Sequence, residues 1–168
     1  MSENEKTSGI WYDSSMKLAT ICFLVKDGKV ALSMKKKSFG KGFLNGYGGK
    51  VQEGETPEQG AIRELSEECG ITVSSTDLEK VAVIDFFDGE KPVFKCHVFF
   101  VVSWQGNPIE SDEMSLPEWF DRESVPYDKM WKADRAWLPL VFSGEKIRGN
   151  AYYKLGMNEM DRFEYESL

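Results

Sequence analysis

Histidine occurs once in this chain and cysteine three times in 168 residues. The lone histidine, His97, has no second imidazole to share a metal with and no partner motif beside it. It reads as a packed residue in an apolar strand. The cysteines, Cys22, Cys69 and Cys96, are odd in number and sit among apolar neighbours. That pattern suits reduced, buried thiols in a reducing compartment, not a disulfide framework or a zinc site. Basic charge is also scarce. Lys and Arg number 21 against 28 Asp and Glu, a net charge of -7. Tracking a polynucleotide backbone needs basic surface, so no polynucleotide partner is expected. No apolar run reaches membrane-spanning length, and the polar start MSENEKTSGIWYDSS has no apolar signal-peptide core. No membrane partner is expected, and the expected location is cytoplasmic. Repeats, low-complexity tracts and linkers are missing too. One domain is therefore expected over residues 16–168, behind a flexible tail at 1–15 with Trp11 as its docking point. With 41% apolar and 13% aromatic residues, that domain can bury a core of its own, and a monomer is expected.

What is present is concentrated in Gly49 to Ile71, GKVQEGETPEQGAIRELSEECGI. Glu64, Glu67 and Glu68 stand at i, i+3 and i+4, which share one face of a helix. Three like charges crowded into one turn repel each other unless a cation sits among them. An all-oxygen donor set favours Mg²⁺ or Mn²⁺ over zinc. The helix carrying them is well specified. Thr56 suits the N-cap, Pro57 the first helical position, and Gln59 completes a capping box with Thr56. Ala61, Ile62, Leu65 and Cys69 form an apolar stripe on the other side, and Gly70 supplies a left-handed stop. Ahead of the helix, Gly46, Gly48, Gly49 and Gly54 predict a loop whose backbone can approach a ligand closely. A glycine loop feeding an acidic helix face suits a phosphate held through a metal. A solvated acidic face is the plainer alternative, and the caps, glycines and Arg63 falling into place together argue against it.

Taken in order, Leu18 to Val25 is apolar on both faces and predicts a central strand, with Thr20 as its one polar interruption. Asp27-Gly28 turns it into a second strand, Val30 to Met34. Lys35 and Lys50 flank the glycine loop and, with Arg63, place basic charge on an acidic protein. Beyond the helix, Val81–Phe87 and Val93–Val102 bracket the turn Asp88-Gly89 as a hairpin. Glu110 to Met114 is an acidic loop from which one carboxylate could reach the metal. Trp119-Phe120 predicts a short strand. Trp137 to Phe142 predicts a helix that starts or kinks near Pro139. Asn150–Leu155 and Arg162–Tyr165 predict late strands. The elements make a mixed α+β domain.

The spacing Gly49-x5-Glu55-x7-Arg63-Glu64-Leu65-x-Glu67-Glu68-x-Gly70-Ile71 resembles the Nudix box at every defined position. The likeness extends over most of residues 18 to 155 and resembles the oxidised-purine triphosphatases within that family. MKKKSFGKGFLNGYGGKVQEGET, HVFF, PIESDEM and YDKMWKADRAWLPL carry it. The resemblance implies a Nudix fold, an α/β/α sandwich around a mixed β-sheet. It further implies Mg²⁺-dependent hydrolysis of a modified purine nucleoside triphosphate to its monophosphate and pyrophosphate.

Residue by residue, the resemblance implies that Glu64, Glu67, Glu68 and Glu113 bind the metal, with the Gly48 and Gly49 backbone completing the cradle. Arg63 would orient the carboxylates; metal ligands and general bases look alike in sequence, so any of the three glutamates could be the base, with Glu67 the one favoured. Lys35, Tyr47 and Lys50 would contact the nucleotide. Asn45 and Asp134 would read the base, Thr20 would line its pocket, and Trp131 would stack on it. The chain departs from its relatives at two places. Ala133 stands where they carry a second aspartate beside Asp134, and Leu44 stands where a tryptophan is expected beside Asn45. A missing polar group in a base site alters discrimination strongly. Another nucleotide, such as an unmodified or methylated purine triphosphate or a dinucleoside polyphosphate, therefore stays open as substrate. A catalytically silent binding module would show broken box positions, and none is broken here.

Overall fold

The computed structural model describes residues 16–38 and 40–168, together with the backbone pairing of Lys6–Thr7 (β1) and Ile10–Trp11 (β2). The expected flexible tail and the docking role of the Trp11 side chain otherwise lie outside the described residues.

Apolar residues on both faces make Lys17–Lys26 (β3) the strand from which the sheet branches. Asp27-Gly28 turns it into Lys29–Met34 (β4), as the sequence predicts. Two short strands follow, Leu44–Asn45 (β5) and Tyr47–Lys50 (β6). Pro57–Cys69 is a helix (α1). The hairpin Leu78–Asp88 (β7) and Lys91–Val101 (β8) comes next, then Glu118–Asp121 (β9). Asp134–Phe142 is the second helix (α2), and Ile147–Tyr153 (β10) and Met160–Ser167 (β11) close the chain. These strands order as β11-β10-β7-β8-β3-β4-β5, with β6 joined to β3 and β9 to β4. The β3–β8 and β7–β10 pairs are parallel and the others antiparallel, so the sheet is mixed.

Three differences from the expectations have clear causes. The glycine segment pairs as strand instead of looping free. Gly48 lies against β3 so closely that a Cβ would collide with the Thr20 carbonyl and with Ile21, so only glycine permits this ladder. The second helix begins at Asp134, earlier than the aromatic run suggests. Its first turn is tight, with Asp134 N–H on the Trp131 carbonyl at 3.0 Å and Ala136 N–H on that of Ala133 at 3.1 Å. Pro139 therefore lies inside the helix. Ile62 is only half-buried, and Glu68 takes a buried place on α1 instead.

Strand alternation sorts the core into two layers. Cys22, Leu24 and Ala31 pack on Ala61, Leu65 and Cys69 of α1. Phe23, Val30 and Leu32 face the opposite way, toward Trp137, Leu138 and Phe142 of α2. The Phe23 and Phe142 rings meet edge to face at 5.2 Å. The result is an α/β/α sandwich. All three cysteines are buried and free. No helix of the described residues is long and apolar enough to cross a membrane.

Candidate active site

The caps of α1 form as the sequence predicts. Thr56 Oγ1 accepts from the Gln59 N–H at 3.1 Å, and Gln59 Oε1 accepts from the Thr56 N–H at 2.9 Å. Gly70 ends the helix in the left-handed conformation at φ 74°. This fixed start and stop aim Arg63, Glu64 and Glu68 at the glycine strand β6.

Arg63 is the hub of the acidic face. Its Nε and Nη2 donate to the two oxygens of Glu55 at 2.8 and 3.0 Å. Nη1 donates to Glu64 Oε1 at 3.0 Å and to Glu67 Oε2 at 3.2 Å, and Nη2 also reaches the Lys50 carbonyl at 3.0 Å. Such forked, charge-assisted bonds fix geometry as well as charge. The hydrogen bonds from Arg63 hold the Glu55 carboxyl below its usual range, and those to Glu55 and Glu64 raise the guanidinium further above its own.

Glu68 meets a different environment. It is buried, and its Oε2 accepts the Gly48 N–H at 3.0 Å. Burial pushes its carboxyl up to about 8, against the Gly48 bond, and the charges of Glu64 and Glu113 add to the rise. Burial likewise raises Glu64, against its Arg63 bond, with Glu67 and Glu113 contributing. The charge of Glu113, exposed on the 110–114 loop, is thus felt by both Glu64 and Glu68. Gly49 lies so close to Glu64 that a Cβ would stand 2.5 Å from Oε1. Among the described residues no three acidic, histidine or cysteine side chains gather closely enough to hold a metal as they stand. Glu67 is the outlier, with its side chain 57% exposed against 13% for Glu64. The donor chemistry nevertheless fits a hard divalent cation, because it is all oxygen and mutually repelling, with Glu68 buried and Glu64 partly so.

Beside this cluster lies a cleft of about 180 Å³ that opens to the surface. Gly48, Gly49, Glu68 and Lys35 line one part, and Asn45, Phe86, Phe94, Trp131 and Asp134 another. Asn45 Oδ1 accepts the Gly46 N–H at 2.9 Å, which leaves the Nδ2 donor to offer a ligand. Thr20 Oγ1, Asp134 Oδ2 and Trp137 Nε1 are buried without hydrogen-bond partners. Orphaned polar atoms are costly in an apolar wall and mark where a polar ligand would be welcome. Burial pushes the Asp134 carboxyl up to about 7.

Thr20, Lys35, Asn45, Gly48, Gly49, Glu68, Trp131 and Asp134 come together in the cleft; Glu67 and Glu113 are exposed outside it, and Tyr47 and Lys50 do not line it either. Tyr47 is 1% exposed and belongs to the α1-side core, with its hydroxyl 2.8 Å from Ser33 Oγ. Strand alternation turns it away from the cleft, so its expected nucleotide contact is corrected to a packing role. Lys50 is exposed and outside the cleft lining, and its carbonyl serves Arg63. Leu44 and Ala133 are both buried in the α2-side core and do not line the cleft. Sequence reasoning missed the Glu55 clamp, although the box spacing includes Glu55. It also missed the aromatic wall of Phe86 and Phe94, whose rings stack at 4.4 Å across the predicted hairpin. His97 is half-buried, and burial with the charges of Lys80 and Lys95 pushes its imidazole down to about 4, in keeping with a packed neutral residue.

A box of this geometry on this fold defines a class, and the NUDIX domain model matches residues 16–141. The chain belongs to the Nudix family of hydrolases. It is 46% identical over 139 residues to the oxidized purine nucleoside triphosphate hydrolase of Danio rerio, covering 82% of this chain and 86% of the relative. The enzyme of the same name from Mus musculus is 42% identical over 138 residues, with coverage of 82% and 86%. Among solved structures, the MutT protein of Bacillus halodurans superimposes with a TM-score of 0.73 over 90% of this chain and 98% of its own. At 24% identity that likeness speaks for the fold. Nudix hydrolases generally use divalent metal ions.

Proposed function

We propose that the chain hydrolyses oxidised purine nucleoside triphosphates of the 8-oxo-dGTP and 2-hydroxy-dATP type to the monophosphate and pyrophosphate, with Mg²⁺ as cofactor. The role would be nucleotide-pool sanitation. One observation carries the reading: Glu68 and the Gly48–Gly49 backbone belong both to the carboxylate cluster and to the aromatic cleft. Phosphates and base therefore lie along one continuous path. The names of the animal relatives support the substrate class.

Glu64, Glu68 and Glu113, with the Gly48–Gly49 backbone, would hold the metal, and Arg63 would keep Glu64 and Glu67 turned toward it. When bound, the ion supplies charge neutralisation on the phosphates and an acidified water. Lys35, which lines the cleft and whose charge acts on Glu68, balances phosphate charge. Glu67, the most exposed of the three helix carboxylates, takes the proton of the attacking water. Trp131 stacks on the purine. Asn45 offers a donor to its edge, and Asp134, pushed up to about 7, offers a proton or a lone pair at neutral pH.

A second reading, a different purine nucleotide, is favoured by Asp134 being the one acid in the cleft lining at the start of α2, since Ala133 beside it is apolar and buried away from the cleft. Pyrophosphate release with Mg²⁺ decides between them, over 8-oxo-dGTP, 2-hydroxy-dATP, O6-methyl-dGTP and the four normal deoxynucleotides. Preference for an oxidised purine supports the first reading. A flat profile or another winner overturns it.

A further inference from the structure

Tyr153 ends β10 on the far side of the aromatic wall and is 4% exposed. Its ring stacks on Trp131 at 5.9 Å and on Phe86 at 6.3 Å, two residues that line the cleft. Its hydroxyl is buried with no hydrogen-bond partner, and so is Oδ2 of Asp134, which does line the cleft and is 6% exposed. The two are joined through Trp131, whose ring stacks on Tyr153 and whose carbonyl accepts the Asp134 N–H at 3.0 Å. Around them Phe86, Phe94 and Cys96 offer a carboxylate no strong donor, which leaves the partnerless Trp137 indole N–H as the one competitor to the phenol on the buried wall. A partnerless buried hydroxyl is a liability that a phenylalanine would avoid while keeping both ring stacks. One hydrogen bond, direct or through a shared water, would satisfy both orphans at once.

We infer that Tyr153 is a positioning residue for purine recognition, whose hydroxyl donates to the Asp134 carboxyl when a base fills the cleft. The inference rests on the proposed purine substrate and deepens it. A phenol donating to Asp134 orients the carboxyl and leaves its other oxygen for the base. The purine edge best served carries an N–H beside a carbonyl: the N–H meets the free carboxylate oxygen, and the Asn45 amide meets the carbonyl. The phenol would act through Asp134 and would not touch the substrate.

The test is Tyr153→Phe, which keeps the ring stacks on Trp131 and Phe86. For the preferred purine triphosphate, KM should rise about tenfold with kcat within about twofold, the mark of lost uniform binding. The ranking among purines should flatten, and the melting temperature should hold or rise as an unpaired hydroxyl disappears. In an Asp134→Asn background the same change should add little, because the two act as a unit. An unchanged KM and ranking overturns the inference, as does an equal KM rise with Asp134 already replaced. If wild type hydrolyses none of the purines tested, the proposed function falls on its own. Tyr153 is then read from quenching of tryptophan fluorescence by purine nucleoside monophosphates without metal. Equal affinity in wild type and Tyr153→Phe there also overturns the inference.

Discussion

Arg63 holds Glu55 through two parallel hydrogen bonds, Nε to Oε2 at 2.8 Å and Nη2 to Oε1 at 3.0 Å. Glu55 sits on the loop before α1 and Arg63 on its second turn, so the pair locks the loop to the helix. The same guanidinium then has Nη1 left to hold Glu64 and Glu67. One cation thereby sets the direction of two carboxylates in the acidic cluster.

Breaking that lock should impair metal use more than folding. Lysine cannot reproduce a forked guanidinium, and glutamine at 55 keeps shape without charge. Arg63→Lys and Glu55→Gln should each weaken activity about 10- to 100-fold, as supporting contacts to metal ligands do. Titrating turnover against Mg²⁺ should show a higher half-saturating concentration in both. A normal Mg²⁺ dependence would remove Glu55 from the site.

Glu68→Gln and Glu67→Gln should each lower turnover at least about a hundredfold with the fold retained. The two should differ in the metal-free melt. Glu68 is buried, and burial holds its carboxyl protonated at neutral pH without metal, so an amide of the same shape costs little and Glu68→Gln should melt no lower than wild type. Mg²⁺ should raise the wild-type melting temperature through linkage and leave Glu68→Gln nearly unmoved. Equal Mg²⁺ stabilisation in wild type and variant would exclude Glu68 as a ligand.

Sequence legibility followed how local each cause was. The start, stop and caps of α1 are legible because they lie within fifteen or so residues of one another in a helix-periodic pattern, while the burial of Glu68 in place of Ile62 depends on the distant β6. Strands β5 and β6 were not, because what makes them strands is the close approach of Gly48 to the Thr20 carbonyl, a contact between distant segments. Tyr47 was misplaced for the same reason. Its position among the glycines places it near the site, and only the pairing of Cys22 with Tyr47 turns its side chain into the core. The metal-facing residues come from one motif. The base wall is assembled from β7, β8 and the start of α2, and only the resemblance pointed to Trp131 and Asp134.

Trp131→Ala should act on affinity. Base stacking on an aromatic ring is worth roughly 1–3 kcal/mol, so KM should rise about tenfold or more while kcat changes little. The loss should be similar for every purine, because stacking reads a ring face and not its edge. An unchanged KM would take Trp131 out of the base site.

Restoring an acid at position 133 is a harder experiment than the sequence suggests. Ala133 is 1% exposed within the α2-side core. Its backbone is helical, φ -59° and ψ -36°, and it makes no side-chain cap bond. Ala133→Asp should therefore destabilise the fold by about 3 kcal/mol, the order expected for burying an unpaired charge. Substrate ranking should be measured below the lowered melting temperature. A melt unchanged from wild type would show that the new carboxylate escapes to the cleft, and a sharper preference for oxidised purines would then follow.

His97 gives the chain a pH dependence that can be isolated. Burial and the neighbouring Lys80, Lys95 and Arg148 charges push its imidazole down to about 4 in the folded chain, with Glu58 opposing them, against about 6.5 when unfolded. Between those two values the unfolded chain binds a proton that the folded chain refuses. Stability is therefore fully present above about pH 6.5 and is lost as pH falls toward 4, by up to about 3 kcal/mol. Asp134 works with the opposite sign. Its folded carboxyl stands near 7, so it keeps a proton that the unfolded chain releases, adding stability as pH falls from about 7 toward its ordinary value near 4. The two partly cancel in wild type. His97→Gln should unmask the contributions of Asp134 and of Glu68, which burial raises in the same direction, and lose less stability than wild type between pH 7 and 4.5 in urea unfolding. Parallel curves for the two proteins would mean that His97 titrates alike in both states, and its buried, neutral placement would be wrong.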